Sequence, residues 1–467
     1  PPPQRSHTTT TPRPPQTPQT RLIPASTVDD IPHSKDRAHN DLSINNAWIL
    51  TLEGEVSTEA CQEALDDTLN YYPKSKCILT NNYSSYKRWF QHCWEYTDVT
   101  GKDILEEVTV TDSPFTSEEA VNYYVNNHAR FSTDLASHVP LKVVLMRTSQ
   151  KVFLFLIMHH ALADGLGGFF FIQKFIQYYE DILYQREQEP PNEPAREVIA
   201  SPEVRFRWSH LSPRYLRPYF QNFFLMRREP PLNLFPHKAA GITGQFNATV
   251  RKLPSQQFGT VRSTAKKFGS TINDYLLAAM FQTIKKWSRE WIKQSDRVYI
   301  NVPMNLRSPE DRTLSNILSG VTISLKPDSI GDQQEMLPLI RQELTTMINK
   351  NMAQTLINLS SLLKPVPIPL RIGIMKNSNQ SFALSIVLSN MGVLSPNPAH
   401  KDEEGFHYMG SARICNIHGI PAVGAWPMLL LYTYNSQMIF NLSFLNSYFS
   451  PETAGSFIDS FLGEITG

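Results

Sequence analysis

The stretch Val152–Phe171 reads VFLFLIMHHALADGLGGFFF, and the fold turns on how it is read. From Val152 to Met158 every residue is apolar, rich in branched and aromatic side chains, and the run is too short for an independent helix. That composition and length predict a buried strand. The strand runs straight into His159 and His160, then Ala-Leu-Ala, Asp164 and Gly165, and a Gly167-Gly168 pair opens a predicted helix over 169–183. Titratable groups at the mouth of a buried strand are costly unless they are paired or used.

Neighbouring side chains on a strand point to opposite faces, so His159 and His160 cannot share one role. One is expected to face a cavity while the other packs behind it. Asp164 can turn back onto a buried cation and fix the loop, and Gly165 is expected to take a backbone conformation closed to side chains. A neutral histidine at a cavity suits removal of a proton from a hydroxyl or an amine near neutral pH. Two plainer readings compete: a hydrogen-bonded core histidine, and a metal ligand. Adjacent strand histidines diverge, there is no H-E-x-x-H helix and no third ligand stands out, so no metal is expected.

The chain has 467 residues, long for one compact core, and two domains are predicted. Lys+Arg 44 against Asp+Glu 43 leaves a net charge of +1, which implies no broad basic field for nucleic acid. Cys61, Cys77, Cys93 and Cys415 form no C-x-x-C pair and read as free thiols of a reducing compartment. No apolar run reaches the ~18 residues of a membrane span, and no secretion signal is recognised, so a cytoplasmic location is expected.

Residues 1–29 are rich in Pro, Thr and Gln and are predicted to form a disordered tail. Order is expected from about Asp41: a strand over 43–52, a helix over 58–71 capped by Ser57, and a strand over 76–79. A helix from Ser117 and paired strands over 140–146 and 151–158 follow. Prolines recur through 186–238, mixed with RFRWSH, RYLRPYF and FFLMRR, which predicts an extended linker. Its arginines and aromatics are compatible with a peripheral membrane contact or with gripping an anionic ligand. Beyond it come a strand over 244–253, helices over 255–268 and from Thr271, and strands over 297–306 and 314–325. A long helix over 333–363, a strand over 383–392, a hairpin over 429–444 and a closing helix over 451–464 complete the chain.

His159, His160, Asp164 and Gly165 match, position for position, the H-H-x-x-x-D-G signature of an acyltransferase superfamily that the chain resembles. That group includes chloramphenicol acetyltransferase-like enzymes, peptide-synthetase condensation domains, polyketide-associated acyltransferases, alcohol acetyltransferases and wax ester synthases. FSTDLASHVPL (131–141), TINDYLLAAM (271–280), RVYINVPMNLR (297–307), LSNILSGVTISL (314–325) and ALSIVLSNMG (383–392) resemble further segments of it. The similarity runs from about Asp41 to the C-terminus. The D-F-G-W-G segment of the plant-type branch is absent.

The resemblance implies an α/β (α+β) fold: two chloramphenicol acetyltransferase-like halves, each a mixed sheet with helices, forming a V-shaped pseudo-dimer around a central tunnel. Residues 30–185 and 239–467 would be the halves and 186–238 the crossover. It implies that His160 is the general base, that His159 is its structural neighbour, and that Asp164 holds the loop through a cation. Lys76 of PKSKC lies nearest the family's position for that cation, with Arg307 the alternative. The Gly165 N–H, Ser315, Asn316, Ser389 and Asn390 are candidates for meeting the oxyanion or substrate, although Ser-Asn pairs also tie off strand ends.

The activity implied is transfer of an acyl group from a thioester to a small-molecule hydroxyl or amine, as in secondary metabolism or lipid ester synthesis. Transfer would be direct, by a monomer, with acyl-CoA as cosubstrate and no permanently bound cofactor. Cations for its phosphate-bearing head would come from Arg205, Arg207, Arg214 and Arg217 or from Lys266, Lys267, Lys285 and Lys286. A free-standing condensation-type enzyme using a carrier-protein thioester is the alternative. A catalytically inactive binding protein of the same fold is the third reading.

Overall fold

The computed structural model describes residues 22–26, 29–30, 44–81, 89–111, 115–129, 134–187, 208–234, 245–373, 384–422, 426–446 and 450–467. The first half of the chain runs β1 (Leu22–Pro24), β2 (Asn45–Glu53), α1 (Thr58–Tyr71), β3 (Cys77–Thr80), β4 (Cys93–Tyr96), α2 (Gly101–Ile104) and β5 (Leu105–Thr109). It continues through α3 (Ser117–Asn127), β6 (Leu141–Arg147), β7 (Val152–His159) and α4 (Gly165–Leu183) to α5 (Pro213–Arg228). The second half runs β8 (Phe246–Leu253), α6 (Ser255–Lys267), α7 (Ile272–Trp287), β9 (Val298–Asn305), β10 (Leu318–Leu325), α8 (Gln333–Asn349) and α9 (Met352–Ser361). It ends with β11 (Ile386–Val393), β12 (His407–Met409), β13 (Ala412–Ile420), β14 (Met428–Tyr434), β15 (Gln437–Leu445) and α10 (Pro451–Thr466).

Two mixed six-stranded sheets carry the molecule, in the orders β12-β13-β2-β7-β6-β5 and β10-β9-β11-β14-β15-β8. This is the expected class: two α/β lobes, each a mixed sheet with helices. β7 is central in the first sheet, antiparallel to β2 on one side and β6 on the other. All eight of its residues are buried, because both faces of that sheet are covered. On one face Trp48 meets Phe169 of α4, with ring centroids 5.4 Å apart; on the other Thr51 bonds Ser117 of α3 at 3.1 Å. Continuous apolarity in place of alternation follows from that double cover, and each large side chain so buried contributes about 1.5–3 kcal/mol.

The second sheet joins the lobes. One face, with Phe246, Ala248, Val250, Leu430, Tyr432 and Ile439, packs into the core of the first lobe. The other, with Leu253, Leu429, Leu431, Phe440 and Leu442, forms a second core with α6, α7 and α10.

Several expectations are corrected. The halves do not divide cleanly at 238/239: β12 and β13, late in the chain, belong to the first sheet, and β13 pairs with β2 from Arg413↔Glu53 to Ile420↔Ala47. Without it, β2 would present an open, apolar edge. The crossover is not wholly extended either, since Pro213–Arg228 is helical with Pro213 in its first turn, where a missing N–H costs nothing. The expected long helix over 333–363 breaks at Asn351, which is left-handed with φ 50°, into α8 and α9. At the N-terminus, Leu22–Pro24 pairs with β4 and Asp29 is buried, which overturns the C-terminal end of the expected tail; residues 1–21 lie outside the described residues.

Candidate active site

The site forms where the first sheet meets the second. Asn45↔His159 is the last pair of the β2–β7 ladder, and the His160 N–H reaches past it to the Ile44 carbonyl at 2.8 Å. The two histidines then part, as strand geometry requires. His159 turns inward and is buried, its Nδ1 accepting the Ala161 N–H at 3.0 Å. His160 turns to a pocket shared with Asp164, Gly165, Pro303, Arg307, Ser389, Asn390, Met391 and Leu430. Residues of both sheets therefore surround one imidazole.

Asp164 caps α4, its Oδ1 accepting the Gly167 N–H at 2.9 Å. Its Oδ2 accepts from Arg307 Nη1 at 2.7 Å and from the Ile317 N–H at 2.9 Å. Both partners of the ion pair are almost fully buried. Arg307 extends the same planar fork to the carbonyls of Ser315 and Thr313. A lysine could not meet that set with fixed geometry. Of the two cations considered from the sequence, Arg307 is therefore the partner and Lys76 is not: Lys76 bonds Asn70 at 3.1 Å on the surface and lies over the Tyr96 ring.

The buried lysine near the signature loop is instead Lys74. It donates to the Leu162 carbonyl at 3.0 Å and the Ala161 carbonyl at 3.4 Å, and pairs with Asp29 at 3.0 Å. Both residues escape a sequence reading. Lys74 looks like any helix-end lysine after Pro73, and Asp29 lies in a segment whose composition marks it as a tail. The apolar Ile23, Val28 and Ile31 around Asp29 are the one available signal.

The Ser-Asn pairs separate in role. Ser315 and Asn316 do not line the pocket; both are buried behind it. Asn316 Oδ1 lies 3.0 Å from His160 Nδ1, and its Nδ2 donates to the His160 carbonyl at 2.7 Å. Ser389 and Asn390 do line the pocket, where Asn390 ties off the strand end by bonding Asn273 at 2.7 Å and accepting the Gly392 N–H at 2.9 Å. Gly165 is not the special conformer expected. It is the first residue of α4, and an added Cβ would meet only the Met391 side chain, at 3.6 and 3.7 Å. The close approach is at Gly167, where a Cβ would lie 3.1 Å from Ala163 Cβ and 3.3 Å from both Arg307 Nη2 and the Ser315 carbonyl.

Burial pushes the pKa of His160 below the ordinary histidine value. A bond to its own backbone and the Asp164 carboxylate oppose that shift but do not reverse it. The ring is thus neutral at pH 7 and open to the pocket.

The model of the condensation domain matches residues 36–327, most of the first lobe and the start of the second. The chain belongs to the condensation-domain family. An uncharacterized protein of Mycobacterium tuberculosis H37Rv is 23% identical over 320 residues, covering 67% of this chain and 70% of that one. Among solved structures, the first condensation domain of the calcium-dependent antibiotic synthetase aligns at TM-score 0.72 with 11% identity, covering 96% of both chains. The trichothecene 15-O-acetyltransferase TRI3 of Fusarium sporotrichioides aligns equally well, at TM-score 0.72 and 10% identity, over 95% of this chain and 94% of that one. At such identities the structural likeness shows a shared condensation and acyltransferase-type fold. The family supports a transferase. No helix among the described residues is long and apolar enough to cross a membrane.

Proposed function

We propose that this condensation-family protein transfers an acyl group from a thioester donor to a hydroxyl or amine acceptor, with His160 as general base. The observation that carries the reading is the His160 ring: neutral, lining a pocket walled by both sheets, with Nδ1 engaged by Asn316 and Nε2 without a hydrogen-bond partner among the described residues. The acceptor O–H or N–H gives its proton to Nε2 as the oxygen or nitrogen attacks the thioester carbonyl. The carbonyl oxygen takes up the negative charge, and the Ser389 hydroxyl and the Gly165 N–H at the α4 N-terminus, both of pocket-lining residues, are the donors assigned to it. Collapse of the tetrahedral intermediate breaks the C–S bond. The thiolate leaves with the proton held on Nε2, giving ester or amide plus free thiol. No enzyme nucleophile enters.

Acyl-CoA is the donor we favour. A groove lined by Arg262, Asn390 and Lys401, continuing past Lys266, borders the catalytic pocket through Asn390 and offers cations to a phosphate-bearing head. Of the other candidate cations, Lys286 pairs with Glu464, Lys285 bonds the Ile330 carbonyl, and Arg205 and Arg207 lie outside the described residues. Membership in the condensation-domain family favours a second reading, in which the thioester arrives on a carrier protein. Incubation with free acyl-CoAs and with an acyl-loaded carrier, following thiol release, separates the two. Thiol release from neither donor, with a panel of alcohols and amines, contradicts the activity itself.

A further inference from the structure

Asp29, in the N-terminal segment before the first lobe, reaches the proposed base through one intermediary. Its Oδ1 lies 3.1 Å from Asn316 Nδ2, and Asn316 Oδ1 lies 3.0 Å from His160 Nδ1. Asp29 and Asn316 are both buried, 2% and 1% exposed, so water does not compete for these bonds. Among the described residues, Nδ2 of Asn316 faces acceptors: the Asp29 carboxylate, the His160 carbonyl at 2.7 Å and the Ala161 carbonyl at 3.3 Å. Turning the Asn316 amide over would press its oxygen against all three. The amide is therefore held with Oδ1 toward the imidazole, and an oxygen acceptor there requires a proton on Nδ1. A neutral ring protonated on Nδ1 carries its free lone pair on Nε2.

We propose that Asp29 is a positioning residue that fixes the tautomer of His160 through Asn316, so that the N-terminal segment completes the site. The inference rests on His160 being the base, but its central statement concerns where a proton sits. Lys74 belongs to the same arrangement. Its ammonium neutralises Asp29 and holds the Ala161 and Leu162 carbonyls, so the carboxylate can orient Asn316 without an uncompensated charge beside the imidazole. Asp30 anchors the segment on both sides, with His92 of the first lobe and Arg371 of the second half of the chain. Arg371 donates onward to the Phe90 carbonyl.

The test is nuclear magnetic resonance of the 15N-histidine-labelled protein, with His160 assigned from the loss of its signals in His160→Gln. The wild type should show a protonated Nδ1 and a bare Nε2. In Asp29→Asn the charged acceptor is lost while the His160 and Ala161 carbonyls remain, so a fraction of the rings should flip and an Nε2–H signal should appear beside the Nδ1–H signal. The rate constant kcat should fall about tenfold with KM unchanged, less than the ~100-fold expected from losing the base. Asp29→Ala combined with Lys74→Met removes the buried charges together and should give the same pair of changes if the single variant misfolds. A wild-type ring protonated on Nε2, or a folded variant with the wild-type tautomer and kcat, overturns the proposal. Full activity in His160→Gln would remove the base assignment instead and leave the tautomer result to be read independently.

Discussion

At the scale of single residues, Arg307 carries the most structural weight. It is the counterion of a buried carboxylate and the donor to two carbonyls of the segment before β10. Arg307→Ala leaves Asp164 buried and unpaired and is predicted to cost about 3–5 kcal/mol. Urea unfolding measures it, and a loss below ~1 kcal/mol would contradict the role. The proton chemistry at His160 gives a separate prediction. The protonated ring is inactive as a base, and burial lowers its pKa, so activity should be level above the ordinary histidine value of about 6.5 and fall only below it. A kcat/KM profile with its acid limb above 7 would contradict this. The signature made His160 and Asp164 legible from sequence. It could not choose between Lys76 and Arg307, because the choice depends on which segment Asp164 Oδ2 faces, and that segment is about 150 residues further along the chain.

The start of α4 shows how an element sets the site. Asp164 caps the helix and Gly167 lets it approach the strand-leading segment at Ser315 closely enough for Arg307 to span the gap. Gly167→Ala should therefore cost about 1–3 kcal/mol through overpacking and lower the rate by displacing Arg307. Gly165→Ala, one helical position past the cap with only Met391 near, should stay within ~0.5 kcal/mol of wild type. Melting curves of the two variants compare them directly, and equal losses would remove the distinction. Elements with strong periodicity or clear caps were legible in the sequence: α1 behind Ser57 occupies the predicted 58–71. β13 was not. Its ARICNIHGI segment alternates poorly, and its partner β2 lies some 360 residues earlier, so no local signal marks it as the strand that closes the first sheet.

For the whole molecule, the seam between the lobes is where acid should act. His418 on β13 is fully buried near Lys252 of β8, and burial pushes its pKa down to about 3. The unfolded chain protonates this residue near pH 6.5, the folded chain only near 3, so stability is complete above 6.5 and declines as pH falls toward 3. His418→Met should flatten part of that decline between pH 7 and pH 5 in thermal unfolding. An identical slope in the variant would place the acid sensitivity elsewhere. Two lobes of mixed sheet were readable through the resemblance carried by the signature and its companion segments. Their interlacing was not, because it depends on long-range pairing and on a buried N-terminal Asp29 whose neighbours in sequence are rich in proline and polar residues.

The role proposed for His160 is to take the acceptor's proton in thioester acyl transfer. Its most direct test is the rate of thiol release, with donor and acceptor present, for wild type and His160→Ala side by side. Saturable release by the wild type and a loss of at least ~100-fold in the variant are expected, with an unchanged melting curve. Release by a folded His160→Ala at close to the wild-type rate would contradict it.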